Sequence, residues 1–223
     1  NISEEQKLPY LLQRIAQEDT KIITESGCKV GIYNADDIYI KTQIDEYLIL
    51  HRNTTLLSFG KSPRNDISYA GYKVTLEGTH FSFLVQSDTI HEKITLFLSG
   101  YVLPKEYQEV IAASLLIGWQ LGLSKQQLKA AFERNFSLPK SRSTLLKGIK
   151  QTVMIDSSYN ASPSAVLAFL ELFKDLRKQL DRPTVFLFGD MRELGEEAEL
   201  THKEVAKHIP SSMDYVYLVG PLV

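Results

Sequence analysis

One cysteine, Cys28, in 223 residues leaves no disulfide framework and no thiolate metal cluster. That scarcity suits a reducing, cytoplasmic setting, which is the localisation expected. Excess charge is missing as well. A formal net charge of -2 offers no footprint for nucleic acid or an anionic membrane surface. No apolar run approaches membrane-spanning length and no signal peptide opens the chain, so no membrane insertion is expected. Internal repeats and low-complexity tracts are lacking too. No second histidine stands near His202 at metal-ligand spacing, which excludes a zinc site there.

What is present is ordinary globular material. The chain is 43% hydrophobic and 23% charged, enough for one large or two modest cores. It opens on "NISEEQK" without Met and stops on "VYLVGPLV", just past an apparent strand. This reads as a piece of a longer protein.

The periodicity of residues 4–24 predicts a helix with Leu8, Leu11, Leu12 and Ile15 on its apolar face. "CKVGIYN" reads as a strand running into "NADD". The runs "YLIL", "LLSFG", "YKVTL", "HFSFLV" and "KITLFL" read as short strands, punctuated by Gly60, Pro63, Asn65, Gly71 and Gly78. "KEYQEVIAASLLIGWQLG" predicts a well-buried helix. "SKQQLKAAFERNF" predicts an amphipathic one capped by Ser124.

Leu138-Pro139-Lys140-Ser141 is the expected domain boundary. Beyond it come "STLLKG", "QTVMID", "SPSAVLAFLELFKDLRKQL", "PTVFLFGD", "LTHKEVAKHI" and "YVYLVG". Strands alternating with helices of this length predict an α/β unit with a parallel, doubly wound sheet. In such sheets ligands sit at the carboxyl ends of the strands.

Two polar clusters fall at those ends. In "DSSYNASP", Ser162 suits the helix N-cap and Pro163 the first helical position. Asp156, Tyr159 and Asn160 remain to be explained. A helix N-terminus offers free N–H groups to an anion, and a nearby carboxylate can accept ribose hydroxyls. Plain turn chemistry is the other reading, and both stand. In "GDMRELGEEAELTH", Gly189 is read as the turning point after the strand. Asp190 is read as an acceptor of loop amides, and His202 as a surface or capping residue. "IYNADD" repeats the design with Asn34, Asp36 and Asp37, either an Asx turn or a site. Arg142, just past the boundary, is either a phosphate ligand or a solvated linker residue.

Taken in order, "NADD", "SFG" (Ser58 to Gly60), an alanine-containing helix ending "LGL", an arginine after the boundary, "IDSSYNASPSA" and "GDMRELG" with His202 resemble the Mur ligase family. The resemblance is strongest to its D-alanyl-D-alanine-adding (MurF-type) branch. The family has three domains, for the uridine nucleotide, for ATP hydrolysis, and a C-terminal Rossmann-like domain. The resemblance implies that residues 1–140 are the later part of the central ATPase domain, a mixed sheet with flanking helices, and that 141–223 are most of the Rossmann-like domain. The Gly-rich phosphate loop is absent from this chain and is expected upstream of Asn1.

The implied chemistry is ATP-dependent amide formation. ATP phosphorylates the precursor carboxylate, and an incoming amine attacks the acyl phosphate. The implied partners are UDP-MurNAc-peptide and D-Ala-D-Ala, in peptidoglycan biosynthesis, and the implied cofactors are ATP and Mg2+. By position Asn34 falls beside the adenine and Arg142 at the nucleotide phosphates, the catalytic role. Asp156, Ser157, Tyr159, Asn160 and Ser162 line the nucleotide or dipeptide side. The sequence also departs from the family. Glu4 and Glu5 stand where a metal-binding His is usual, and Asp19 where a carbamylated lysine is usual, making Glu5 and Asp19 metal candidates. Glu106 and Tyr107 replace an adenine-side His-Asn pair, Ser141 replaces the Gly of Gly-Arg, and Ser157 the second aspartate of a pair. A non-catalytic relative that binds a nucleotide or partner is therefore the alternative reading.

Overall fold

The computed structural model describes residues 4–50, 54–87 and 90–223, with the side chains of 8–48, 54–86 and 91–223. The elements run α1 (Glu4–Thr24), β1 (Val30–Asn34), α2 (Ile38–Leu50), β2 (Thr55–Gly60), β3 (Ile67–Thr75), β4 (Gly78–Ser87), β5 (Ile90–Ser99), α3 (Tyr107–Gln120) and α4 (Lys125–Asn135). They continue with β6 (Thr144–Lys147), β7 (Val153–Asp156), α5 (Pro163–Arg177), β8 (Val185–Gly189), α6 (Ala198–Ala206) and β9 (Tyr215–Val219). The fold is α/β, as the strand and helix pattern predicts. Strands β1 to β5 form one mixed sheet in sequence order, in which β1 pairs with β2, and β2 with β3, in parallel.

The chain divides into two compact units. The first comprises Asn1–Gly71, Ser82–Thr95 and Gln108–Ala130, the second Tyr72–Phe81, Leu96–Tyr107 and Ala131–Val223. In the first unit Ile44, Ile67, Phe83, Ile94, Ile111 and Leu115 are fully buried. Inward residues alternate along β4 and β5, as the period-two pleat requires. Helix α3 buries Ile111, Ala112, Leu115, Leu116 and Gly118, the repeat of an apolar helical stripe.

In the second unit α5 carries two clusters on one amphipathic helix. Val166 and Leu170 pack with Phe188, Met191 and Val205. Leu172 and Leu176 pack with Val74 and Val102, and beside them lie Leu145 and Ile155. Gln179 Nε2 donates to the Val74 carbonyl at 2.9 Å. The end of β3 is therefore tied to α5 across about a hundred residues of sequence.

Three expectations need correction. "YLIL" is not a strand, since it ends α2, which Asp37 caps by accepting from the Tyr39 and Ile40 amides at 2.9 and 3.1 Å. Helix α1 has the expected bounds, but Leu8, Leu11, Leu12 and Ile15 are exposed, and Ala16, Thr20 and Ile23 form its buried stripe. The second half holds no single parallel ladder. Strands β6 and β7 form an antiparallel hairpin, β8 and β9 a parallel pair, and α5 packs against both.

Candidate functional site

The turn after β7 is built by its own polar groups. Asp156 pairs across the hairpin with Thr144, so the loop 141–143 runs beside the turn 157–160. The Asp156 carboxylate accepts from the Ser158 amide at 3.0 Å. Hydrogen bonds from Ser158, its hydroxyl above all, and from the Ser141 hydroxyl hold the Asp156 carboxyl below the usual aspartate range. The Tyr159 amide donates to the Ser141 carbonyl at 3.2 Å. Ser162 caps α5, its hydroxyl accepting from the Ala165 amide at 3.3 Å, with Pro163 in the first turn. The Ser162 hydroxyl is thus occupied by helix initiation. Asn160 Oδ1 accepts from the Ala161 amide at 2.9 Å, and the residue is exposed.

Arg142 is brought to this turn. Its guanidinium carbon lies 4.4 Å from the centre of the Tyr159 ring, over the ring. It has no carboxylate or carbonyl partner among the described residues. Ser141 and Ser143 on either side of it both have positive φ, 60° and 55°. Left-handed backbone at a non-glycine residue costs of order 1–3 kcal/mol and persists only where its surroundings fix it. Here burial of Ser143 and the Ser141–Tyr159 bond do so. The result is one cluster of a cation, a carboxylate, an exposed aromatic ring, free amide and hydroxyl groups, and a helix N-terminus. Such a cluster suits a phosphate-bearing ligand. Ser157 also sits in it, half-buried, where a carboxylate would add charge.

The loop after β8 is structural in detail. Asp190 Oδ1 accepts from the Leu222 and Val223 amides at 3.1 and 3.0 Å, the amide-binding role expected of it. A side chain at Gly220, which has φ 134°, would strike that carboxylate. Gly189 does not use left-handed backbone, and the positive φ values in this loop belong to Glu193 and Gly195. His202 is buried rather than on the surface. Its Nε2 accepts from the buried Met191 amide at 2.9 Å, and its Nδ1 donates to the Ala198 carbonyl at 2.6 Å.

Asn34 lies in the first unit, at the carboxyl end of β1. Its Oδ1 accepts from the Asp36 amide at 2.9 Å, an Asx turn. Asp36 in turn accepts from the Lys61 amide at 2.9 and 3.0 Å. Gly60 has φ 154°, and a Cβ there would fall 2.6 Å from Asp36 Oδ1 and 2.8 Å from Asn65 Nδ2. Asn65 Nδ2 and the Tyr69 hydroxyl are both buried without a hydrogen-bond partner among the described residues. Burial, with Glu109 and Asp36 nearby, raises the Tyr69 phenol well above its usual range. Sequence reasoning read Asn65 as turn punctuation and missed Tyr69. Orphaned donors arise from tertiary packing, which leaves no local signal.

The metal candidates do not make one site. Glu5 lies outside the residues whose side chains are described. One helix separates positions 5 and 19 by 14 residues, about 21 Å of rise. Asp19 is exposed, and no group of three metal-type side chains gathers among the described residues. The residues at hand do not fit a dedicated magnesium cage, so no step below passes through a metal.

Residues 141–222 match the sequence profile of the "Mur ligase, glutamate ligase domain". The chain is thus similar to the Mur ligase family, over that stretch by its profile. Among curated relatives, the UDP-N-acetylmuramoyl-tripeptide–D-alanyl-D-alanine ligase of Bacillus subtilis is 26% identical over 231 residues, 95% of this chain and 48% of that protein. The ligase of the same name from Haemophilus influenzae is 28% identical over 84% of this chain and 36% of its own length. The chain thus spans about half or less of these relatives. Among solved structures, the MurF ligase of Thermotoga maritima in complex with ADP superposes with a TM-score of 0.71 at 23% identity, covering 92% of this chain and 44% of that one. The UDP-N-acetylmuramoylalanyl-D-glutamyl-2,6-diaminopimelate–D-alanyl-D-alanyl ligase from Acinetobacter baumannii gives a TM-score of 0.72 at 18% identity, over 93% of this chain and 42% of that one. These superpositions establish a Mur ligase fold.

Proposed function

We propose that this chain supplies part of an ATP-dependent ligase that joins D-Ala-D-Ala to a UDP-MurNAc-peptide in the cytoplasm. Residues 1–140 are assigned to the central ATPase domain and 141–223 to the C-terminal domain. The second assignment is supported by the profile match to 141–222. The observation that carries the reading is Arg142, which has no anionic partner among the described residues and is held over the Tyr159 ring beside the N-terminus of α5. In acyl-phosphate chemistry a fixed guanidinium stabilises charge on the transferring phosphoryl group. Asp156 and Asn160 are proposed to meet the nucleotide, with Ser157 as a neutral hydrogen-bonding group there, and Tyr159 and Ser162 to face the dipeptide side. In the first unit the Asn34 amide is proposed to meet the adenine.

The test is phosphate release from ATP in the whole protein. Release that requires both the precursor and D-Ala-D-Ala is expected. Arg142→Ala should lower it on the order of a hundredfold, with the melting temperature unchanged. Equal turnover in mutant and parent would reduce Arg142 to a linker residue. Ser157, where the family carries a carboxylate, favours a second reading, a relative that binds nucleotide without turnover. Nucleotide binding with no release under any substrate combination would select it.

A further inference from the structure

Nothing in the proposed chemistry requires an aromatic ring under the arginine, yet the fold builds one there. Arg142 sits between two serines in left-handed backbone, so its Cα direction is set by the loop. The Tyr159 amide is bonded to the Ser141 carbonyl at 3.2 Å, which fixes the spacing of the two loops. The Tyr159 ring is 66% exposed and contributes nothing to the apolar clusters of this unit. Its one described side-chain contact of note is the guanidinium, 4.4 Å from the ring centre.

We infer that Tyr159 is a positioning residue for Arg142. This rests on the reading of Arg142 as a phosphate ligand. A flexible arginine would otherwise sample many rotamers, and ordering it on binding costs affinity. Contact through the π-face restrains the guanidinium without spending any of its five N–H donors. A carboxylate partner in the same place would restrain the cation but occupy those donors and cancel its charge. The ring holds the arginine ready for a tetrahedral polyanion, and the phenol oxygen is not needed for that task. Because the ring is exposed, its removal leaves the fold intact.

The experiment uses the 223-residue chain, inorganic pyrophosphate as the probe, and NMR titration as the readout. In the free chain the Arg142 side-chain resonances should lie upfield through the ring current of Tyr159. They should return to ordinary positions in Tyr159→Ala and stay upfield in Tyr159→Phe. Arg142→Ala should weaken pyrophosphate binding by about tenfold or more, the loss of charge-assisted hydrogen bonds. Tyr159→Ala should weaken it by about two- to fivefold. Tyr159→Phe should match the parent, and the double alanine variant should be no weaker than Arg142→Ala alone. If Arg142→Ala weakens binding and Tyr159→Ala does not, the positioning role is overturned while the phosphate reading survives. If Tyr159→Phe is as weak as Tyr159→Ala, the hydroxyl is itself a ligand and the positioning role fails. If the parent shows no titration, or Arg142→Ala binds like the parent, the phosphate reading falls and this inference with it.

Discussion

At the scale of single residues, the buried imidazole of His202 is a piece of structure. His202 receives the Met191 amide and donates to the Ala198 carbonyl, joining the loop after β8 to α6. His202→Ala would leave the buried Met191 N–H without an acceptor, at a cost of about 1–3 kcal/mol. A lowered urea midpoint with an unchanged slope would show it. His202→Gln, which restores an acceptor, should recover part of the loss. Sequence alone showed a lone histidine and could not show its partner, 11 residues upstream in a loop. Asp156 was legible, because a carboxylate ending a strand before a helix start is a local pattern. Its titration supplies a pH test. Hydrogen bonds from Ser158 and Ser141 depress its folded value below the unfolded one. Their stabilisation is therefore present above the ordinary aspartate range and disappears as pH falls through the depressed value. Carbon-detected NMR should give an Asp156 midpoint below that of a model aspartate, and Ser158→Ala should move it upward. An unshifted midpoint in the parent would remove the hydrogen-bond account.

At the scale of elements, caps were readable where they were reciprocal. Ser124 precedes α4, its hydroxyl accepting from the Gln127 amide at 3.4 Å, while Gln127 Oε1 accepts from the Ser124 amide at 2.8 Å. This is a capping box with Gln in the third helical position. Ser124→Ala should destabilise the fold by about 1 kcal/mol, seen as a drop in melting temperature without loss of the native spectrum. Helix α2 was missed for an identifiable reason. "YLIL" is aromatic and β-branched, the composition of a strand, and propensity is a weak prior. Asp37 starts the helix upstream, and burial of Ile44 keeps it. Helix α1 shows the converse failure. Its apolar spacing foretold a helix, but the buried stripe follows Ala16, Thr20 and Ile23. A Cβ at Gly31 would meet the Ile23 side chain at 2.8 Å, so β1 and the last turns of α1 pack without room to spare.

At the scale of the whole molecule, a strand–turn–helix unit announces its polar end locally, and the cluster around Tyr159 was legible for that reason. Contacts such as Val74 with Leu172 and Leu176 join residues about a hundred positions apart and carry no local mark. The same limit hid Asn65 and Tyr69. What the chain lacks decides its last prediction. The one Gly-Lys-Ser in the sequence, Gly60 to Ser62, follows Thr55 where a phosphate loop needs its first glycine, so the sequence offers no Gly-rich cradle for the terminal phosphates. Micromolar affinity requires about 8 kcal/mol of net binding free energy. The cluster here offers one guanidinium, worth about 1.5–3 kcal/mol, and a few neutral hydrogen bonds at about 0.5–1.5 kcal/mol each. Association itself costs at least about 4 kcal/mol before any gain is counted. The sum falls short of micromolar binding by several kcal/mol. The 223-residue chain should therefore bind magnesium-ATP weakly at best and release no phosphate from it. Calorimetry that found micromolar binding would mean that these residues build a phosphate cradle by other means, with the donors around Arg142 as the first to remove.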